Sequence, residues 1–316
     1  MIRPEPSGRP VEPQCPVAPA IRVQQLAVDI PHPRSRYRAP TPALHDISFT
    51  APRGQVTALV GTNGAGKTTV LRALTGALRP AAGSIEVLGR TVGPADRACP
   101  EGVGVVPDAP VLPEEWTAQD VIALRRCLGD PFDTSLFPRM LQASGIRPRA
   151  MIGSLSAGQT TAFAVAAALA TDPQLLVLDE PLTRLDPLAR STLVDLLRDR
   201  LTDDDSRSVL LSTHDLEGMD CFVDHLVVLH EGRTVLEGDV DELLEAHVVA
   251  TYPAGAPQIP LGARPLGRSG AAEALIATDD SVGLAPGTAL REPDLPDLVG
   301  LTLAARAGRA IGEDRR

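Results

Sequence analysis

An α/β fold built on a parallel sheet is predicted by three features of this 316-residue chain. From Ile21 to about His247, apolar runs of strand length alternate with stretches of helical character. One of these runs leads through a glycine-rich loop directly into a helix. Two others, Leu175 to Leu178 and Val209 to Leu211, are apolar throughout and end in polar or acidic residues. Parallel strands buried on both faces read this way, and ligands bind beyond their carboxyl ends.

The elements follow in order. Residues 1–20 hold six prolines between Met1 and Pro19 where a signal peptide would have an apolar segment, so they are expected to be a disordered tail with almost nothing to bury. Order is expected to begin near Ile21. Ile47 to Thr50 and Ile85 to Leu88 are β-rich pieces on either side of the glycine loop. Gln55 to Val60, bounded by Gly54 and Gly61, reads as a strand, and Lys67 to Leu78, stopped by Pro80, reads as a helix.

Between that strand and helix lies Gly61-Thr62-Asn63-Gly64-Ala65-Gly66-Lys67-Thr68-Thr69, which satisfies G-x-x-x-x-G-K-[ST]. The physical logic of this pattern is anion binding. Backbone N–H groups from Gly61, Asn63, Gly64, Ala65 and Gly66 wrap nucleotide phosphates, Lys67 reaches the β/γ-phosphates, and the Thr68 hydroxyl ligates Mg²⁺. Thr68 and Thr69 open the helix, whose dipole and unpaired N–H groups favour negative charge. Lys67 is the one lysine among 30 basic residues. A planar arginine fork would not replace its compact charge in such a loop.

Leu175 to Leu178 ends in Asp179-Glu180-Pro181. Alone, this reads equally well as an ordinary acidic strand-to-loop turn. Downstream of a phosphate loop it reads as the other half of the site, with Asp179 holding Mg²⁺ directly or through water and Glu180 polarising the water that attacks the γ-phosphate. Val209 to Leu211 ends in Ser212-Thr213-His214-Asp215, placing His214 on the same edge as Glu180. Leu155-Ser156-Ala157-Gly158-Gln159 precedes a helix expected over Thr160 to Ala170. Ser156 is a good N-cap, and by itself an ordinary helix start accounts for it.

Composition narrows the function. A net charge of −10 opposes a surface dedicated to nucleic acid. Cys15, Cys99, Cys127 and Cys221 are far apart without metal-like spacing, the pattern of a reduced, cytoplasmic chain. The longest apolar run, Ala162 to Ala170, is half of the roughly 18 to 20 residues needed to cross a bilayer. From Val248 the composition shifts to Ala, Gly and Pro with scattered acids. The expected organisation is therefore a tail (1–20), a nucleotide-binding domain (21–247) and a C-terminal accessory segment (248–316). No repeat is visible, so the chain carries one nucleotide-binding unit.

The order of Gly61 to Thr69 (Walker A), Leu155 to Gln159, Leu175 to Glu180 (Walker B), Leu185-Asp186-Pro187 and His214 resembles an ATP-binding cassette (ABC) ATPase over about three quarters of the chain. The resemblance implies a P-loop, RecA-like core with an antiparallel β subdomain, a helical subdomain carrying the signature motif, and a small C-terminal appendage. It implies ATP and Mg²⁺ as ligands. Ser156, Gly158 and Gln159 would meet the γ-phosphate held by an opposite subunit in a head-to-tail dimer, Asp186 would belong to the loop that communicates across it, and His214 would contact the γ-phosphate. Asp108 stands where the family usually has glutamine and would reach Mg²⁺ through water. For the aromatic residue that stacks on adenine, Tyr37 is the candidate, with Ile30 an alternative alignment.

Within the family, the chain is similar to the ATPase subunits of ABC-2-type exporters, through Phe132 to Gly145, Ser154-Leu155-Ser156 and Arg291 to Leu298. That resemblance implies a transmembrane permease on a separate chain, attachment to the inner face of the cell membrane only through it, and docking through Asp108 to about Met140. Pairing with an identical or a different cassette stays open. Two other classes remain: a non-transport ABC ATPase of DNA maintenance or translation, and a regulatory or immunity cassette with weak turnover. The first would normally show coiled-coil insertions, two cassettes or a basic surface.

Overall fold

The chain begins as an antiparallel hairpin, β1 (Ile21–Ile30) and β2 (Thr41–Ala51), whose side chains largely alternate between buried and exposed. A register shift between Val23 and Leu26 brings Gln25 to φ 49°, a bulge that bends the strand. The chain then leaves for β3 (Val56–Gly61) and α1 (Lys67–Leu74), and returns with β4 (Ala82–Val87) and β5 (Arg90–Thr91) to complete a four-stranded antiparallel sheet, β2-β1-β4-β5. This computed structural model describes all residues except 1–17, 31–40, 94–98, 110–111, 203–205, 220, 257–258, 261–262, 267–270, 282–283 and 314–316.

The main sheet joins β3 to β6 (Val103–Val106), β7 (Leu175–Asp179), β8 (Ser208–Thr213), β9 (His225–His230) and β10 (Arg233–Asp239), in the order β10-β9-β3-β8-β7-β6. All pairs are parallel except β9 with β10. Every residue of β3, β7 and β8 is buried, in keeping with their largely apolar sequences. Alternation divides these strands between two cores. Val56, Ala58, Val60, Leu176, Leu178, Val209 and Leu211 face the helices, while Leu59, Leu175, Val177 and Leu210 face the antiparallel sheet. A one-residue slip would exchange the two sets, so packing on both faces fixes the register.

The helical side is formed by α2 (Ala118–Leu128), α3 (Leu136–Ala143), α4 (Ala157–Leu169) and α5 (Pro187–Thr202). Phe137 lies edge-on between Phe132 and Phe163, with ring centroids 5.3 Å away on each side. Two helices differ from expectation. α1 stops at Leu74, short of Leu78, because Thr75 turns its hydroxyl back to the Leu71 carbonyl at 3.0 Å and Gly76 takes a left-handed conformation, φ 74°. α4 starts at Ala157, a turn earlier than expected, because Ser156 caps it.

Beyond α6 (Val240–Glu245), strands β11 (His247–Tyr252), β12 (Arg264–Leu266), β13 (Ala271–Ala277) and β14 (Ala289–Arg291) form a third sheet, β12-β13-β11-β14, followed by α7 (Leu295–Glu313). Arg264 and Arg291 bridge Glu273 and Asp297, the Arg264–Glu273 pair at 2.7 Å, and so tie three of these strands to the start of α7. Leu295, Leu298 and Val299 of α7 share the helix-side core with Val56, Ala58, Leu226 and Val228. The composition shift at Val248 is thus real in sequence, yet packing runs across it and brings the C-terminal helix under the strand that feeds the phosphate loop.

Candidate functional site

Beyond the carboxyl end of β3 the chain must turn sharply into α1. Gly66 permits the turn: its φ is 106°, and a Cβ there would lie 2.5 Å from the Leu44 side chain. The loop and the first residues of α1 line a cleft of about 600 Å³, the size of a small-molecule site. Asn63, Gly64, Ala65, Gly66, Lys67, Thr68 and Thr69 form one wall, with Ile30, His45, Asp108 and Glu180 around them. No acid lies in the first turn of α1, so nothing on the helix itself offsets its positive end.

Lys67 is 6% exposed and reaches back into the loop, donating to the Gly61 carbonyl at 2.7 Å. Its charge is met by Glu180, 3.2 Å away. Asp179 ends β7 one residue earlier and accepts hydrogen bonds from Ser212 at 2.6 Å and from Thr68 at 3.2 Å. The pairing of Asp179 with Ser212 in the β7–β8 register sets this geometry, since both residues are at the same level of adjacent parallel strands.

Glu180 occupies a left-handed backbone conformation, φ 49°, which is costly for a residue with a side chain and recurs at functional sites. Its amide donates to the Ser212 hydroxyl at 2.9 Å, holding the strained turn. One carboxylate oxygen accepts from the Thr183 hydroxyl at 2.9 Å and lies 2.8 Å from His214 Nδ1. Burial pushes the Glu180 carboxyl up, but hydrogen bonds from His214 and Thr183 and the charge of Lys67 outweigh it, holding the group below its ordinary value. A buried cation, a hydroxyl beside a carboxylate, and an ionised carboxylate joined to a histidine are a donor set that fits a nucleotide polyphosphate with one divalent cation.

A second cleft, about 820 Å³, is lined by Ser156, Gly158, Gln159, Arg184, Leu185 and Asp186 among others. Ser156 Oγ accepts from the Gln159 amide at 3.2 Å, and the Gln159 side chain accepts from the Ser156 amide at 3.1 Å, a reciprocal capping box. The Ser156 proton remains available to an outside acceptor. Asp186 accepts from the Ala189 amide at 2.9 Å, opening α5.

The sequence-predicted residues thus fall into two groups in space. Lys67, Thr68, Asp179, Glu180 and His214 meet at one place, while Ser156, Gly158, Gln159 and Asp186 line the other cleft. Tyr37 lies outside the described residues. Asp108 stands on the wall of the first cleft, its carboxylate 3.2 Å from Arg184. Ser212, Thr183, Arg184 and His45 join these clefts without a role predicted from the sequence. Ser212 was visible as a hydroxyl at a strand end, whereas the contacts of Thr183 and Arg184 depend on how the loop after β7 folds.

The pattern that defines the ABC transporter family matches residues 44–183. The Nod factor export ATP-binding protein I of Rhizobium sp. (strain N33) is 37% identical over 213 residues, which are 65% of this chain and 68% of that protein. Among solved structures, cbiO1 from Clostridium perfringens, part of the ABC transporter complex cbiONQ, is similar with a TM-score of 0.59 and 29% identity over 71% of this chain and 90% of that one. The cassette MJ0796, described as dimeric, has the same fold at a TM-score of 0.59 and 20% identity, covering 69% of this chain and 98% of that one. On this evidence the chain belongs to the ABC transporter family, as one of its ATP-binding and ATP-hydrolysing subunits.

Proposed function

We propose that the chain powers export through a membrane-spanning partner carried on separate polypeptides, working as one of a head-to-tail pair of cassettes on the inner face of the cell membrane. The observation that carries this reading is the convergence of Lys67, Thr68, Asp179, Glu180 and His214 at one cleft, joined to similarity with export ATP-binding proteins. ATP lies with its β/γ-phosphates on Lys67 and the amino end of α1. Thr68 and Asp179 would hold Mg²⁺, which would supply positive charge against the phosphate oxygens. Glu180 orients the attacking water and accepts its proton, and His214, hydrogen-bonded to Glu180, steadies that carboxylate and reaches the γ-phosphate. Ser156, Gly158 and Gln159 close over the γ-phosphate of the other subunit, with Asp186 beside them.

No helix among the described residues is long and apolar enough to cross a membrane, so transport requires a partner. A groove of about 830 Å³ along β6, α2 and α4, lined by Val105, Trp116, Leu124 and Ala164 among others, is where we place its docking. Val105 and Leu124 are exposed apolar side chains there. The direct test is affinity isolation of the tagged chain from gently solubilised membranes of its source. Recovery of a chain with several apolar spans that raises the rate of ATP hydrolysis is expected. Recovery of soluble partners alone would favour a regulatory cassette.

A further inference from the structure

Asp108 and Arg184 are 76 residues apart in the chain, yet Arg184 Nη2 lies 3.2 Å and 3.4 Å from the two carboxylate oxygens of Asp108. Asp108 follows β6 and lines the phosphate cleft beside Lys67, Thr68 and Glu180. Arg184 follows Thr183, which donates to Glu180, and lines the second cleft beside Ser156, Gly158 and Asp186. The pair therefore joins the loops after β6 and β7 and stands between the two clefts.

Charge explains why such a pair is needed. Asp108, Glu180 and Glu231 line a cleft whose proposed ligand is a polyanion, Asp179 stands beside it on Thr68, and Lys67 already faces Glu180. Asp108 without a counter-ion would repel the phosphates. Arginine suits the task because it stays charged at any accessible pH and offers several donors from one fork. Both side chains are 46% exposed, so the contact is screened and readily exchanged, unlike a buried pair.

We infer that Arg184 is a positioning residue for nucleotide binding: it cancels the charge of Asp108 at the phosphate cleft and so allows an aspartate to stand there. Removing Arg184 exposes the repulsion that it masks. Mg²⁺ covers the same repulsion from the phosphate side, so the effect belongs to low Mg²⁺ and fades as the cation saturates.

This inference rests on the proposed ATP site. Its test is an equilibrium titration of the full chain with a fluorescent ATP analogue at a series of Mg²⁺ concentrations, for the wild type, Arg184→Gln, Arg184→Lys, Asp108→Asn, the double variant Asp108→Asn/Arg184→Gln, and Lys67→Ala. Arg184→Gln is expected to weaken binding about fivefold at low Mg²⁺ and less than about twofold at saturation, and Arg184→Lys to recover most of the loss. In the Asp108→Asn background no carboxylate holds the exposed Arg184 side chain at the phosphate cleft, so Arg184→Gln should cost clearly less. An equal loss in both backgrounds would overturn the inference, because Arg184 would then act on the phosphates without Asp108. So would unchanged Mg²⁺ dependence in Arg184→Gln while Lys67→Ala still abolishes binding. If Lys67→Ala binds normally, the reading of the site itself fails, and this inference with it.

Discussion

The two clefts of this molecule differ in how far the chain satisfies its own groups. At the first, polar side chains from α1, β7, β8 and the loops beyond them bond to one another: Thr68 and Ser212 to Asp179, and Lys67, Thr183 and His214 to Glu180. Lys67 and Asp179 are buried among them. At the second, Ser156 is exposed and its contacts are confined to its own helix turn. One site is assembled from across the sheet; the other is a helix end presented to solvent beside an open groove. A cleft assembled from across the sheet and an outward-facing helix end in the same domain suit the proposed head-to-tail pair, in which the Ser156 end of each copy would reach the other's cleft.

The sharpest way to break this comparison is at Lys67. Its ammonium faces the loop carbonyls of Gly61 and Thr62, so Lys67→Ala is expected to abolish ATP binding in an equilibrium titration while the circular dichroism spectrum stays that of the wild type. Retained affinity would show that the first cleft is not the nucleotide site.

Glu180 tests the chemistry of the same cleft without its binding function. A positioned base contributes roughly 10² to 10⁴-fold, so Glu180→Gln is expected to bind ATP and hydrolyse it at least about a hundredfold more slowly, accumulating as an ATP-bound dimer on size-exclusion chromatography. Near-normal turnover would mean that another group positions the water. The pH profile offers a second check. Because hydrogen bonds from His214 and Thr183 and the charge of Lys67 outweigh burial and hold the carboxyl below its ordinary value, Glu180 is expected to stay ionised as the pH falls into the usual glutamate range. Loss of hydrolysis above that range would point to a different titrating group.

Ser156 sharpens the comparison from the other side. If its proton serves a phosphate held by a second copy, Ser156→Ala removes a hydrogen bond to a charged group, worth about 1.5 to 3 kcal/mol, and slows hydrolysis about 10- to 100-fold. ATP affinity of the isolated chain should not change. The lost cap itself costs about 1 kcal/mol of stability, readable as a lower urea midpoint. A fall in the monomer's ATP affinity would place Ser156 at its own chain's cleft and remove the argument for a pair.

How far each region could be read from sequence follows the same division. The first cleft is legible in its main members because the loop, strand and helix that carry Gly61 to Thr69 are contiguous, and because Asp179, Glu180 and His214 sit at the ends of apolar strands whose burial the sequence announces. What was not legible is the cross-strand contact of Ser212 with Asp179 and the long-range meeting of Arg184 with Asp108, since neither follows from local pattern. The C-terminal sheet was hidden for another reason: β12 and β14 are three residues each, too short for alternation to show. Nor does spacing reveal that Leu295 and Leu298 pack beneath β3.

The smallest expected effect is at Asp108, and its size is what the comparison of charges decides. Standing alone, a carboxylate within a few ångströms of the γ-phosphate would repel it by about 1 kcal/mol in water and more when partly desolvated, equivalent to a fivefold or greater penalty on binding. Arg184 already faces both oxygens of Asp108, so most of that repulsion is offset before any nucleotide arrives. Asp108→Gln is therefore expected to tighten ATP binding at low Mg²⁺ by only about twofold, with the difference vanishing as Mg²⁺ saturates. Stimulation of hydrolysis by the membrane partner should change more than the basal rate, because Asp108 directly follows Val103 to Pro107, which line the proposed docking groove. A gain of tenfold or more at low Mg²⁺ would mean that Arg184 leaves Asp108 uncompensated, and identical behaviour of the two proteins in both assays would mean that the side chain at this position senses neither nucleotide nor partner.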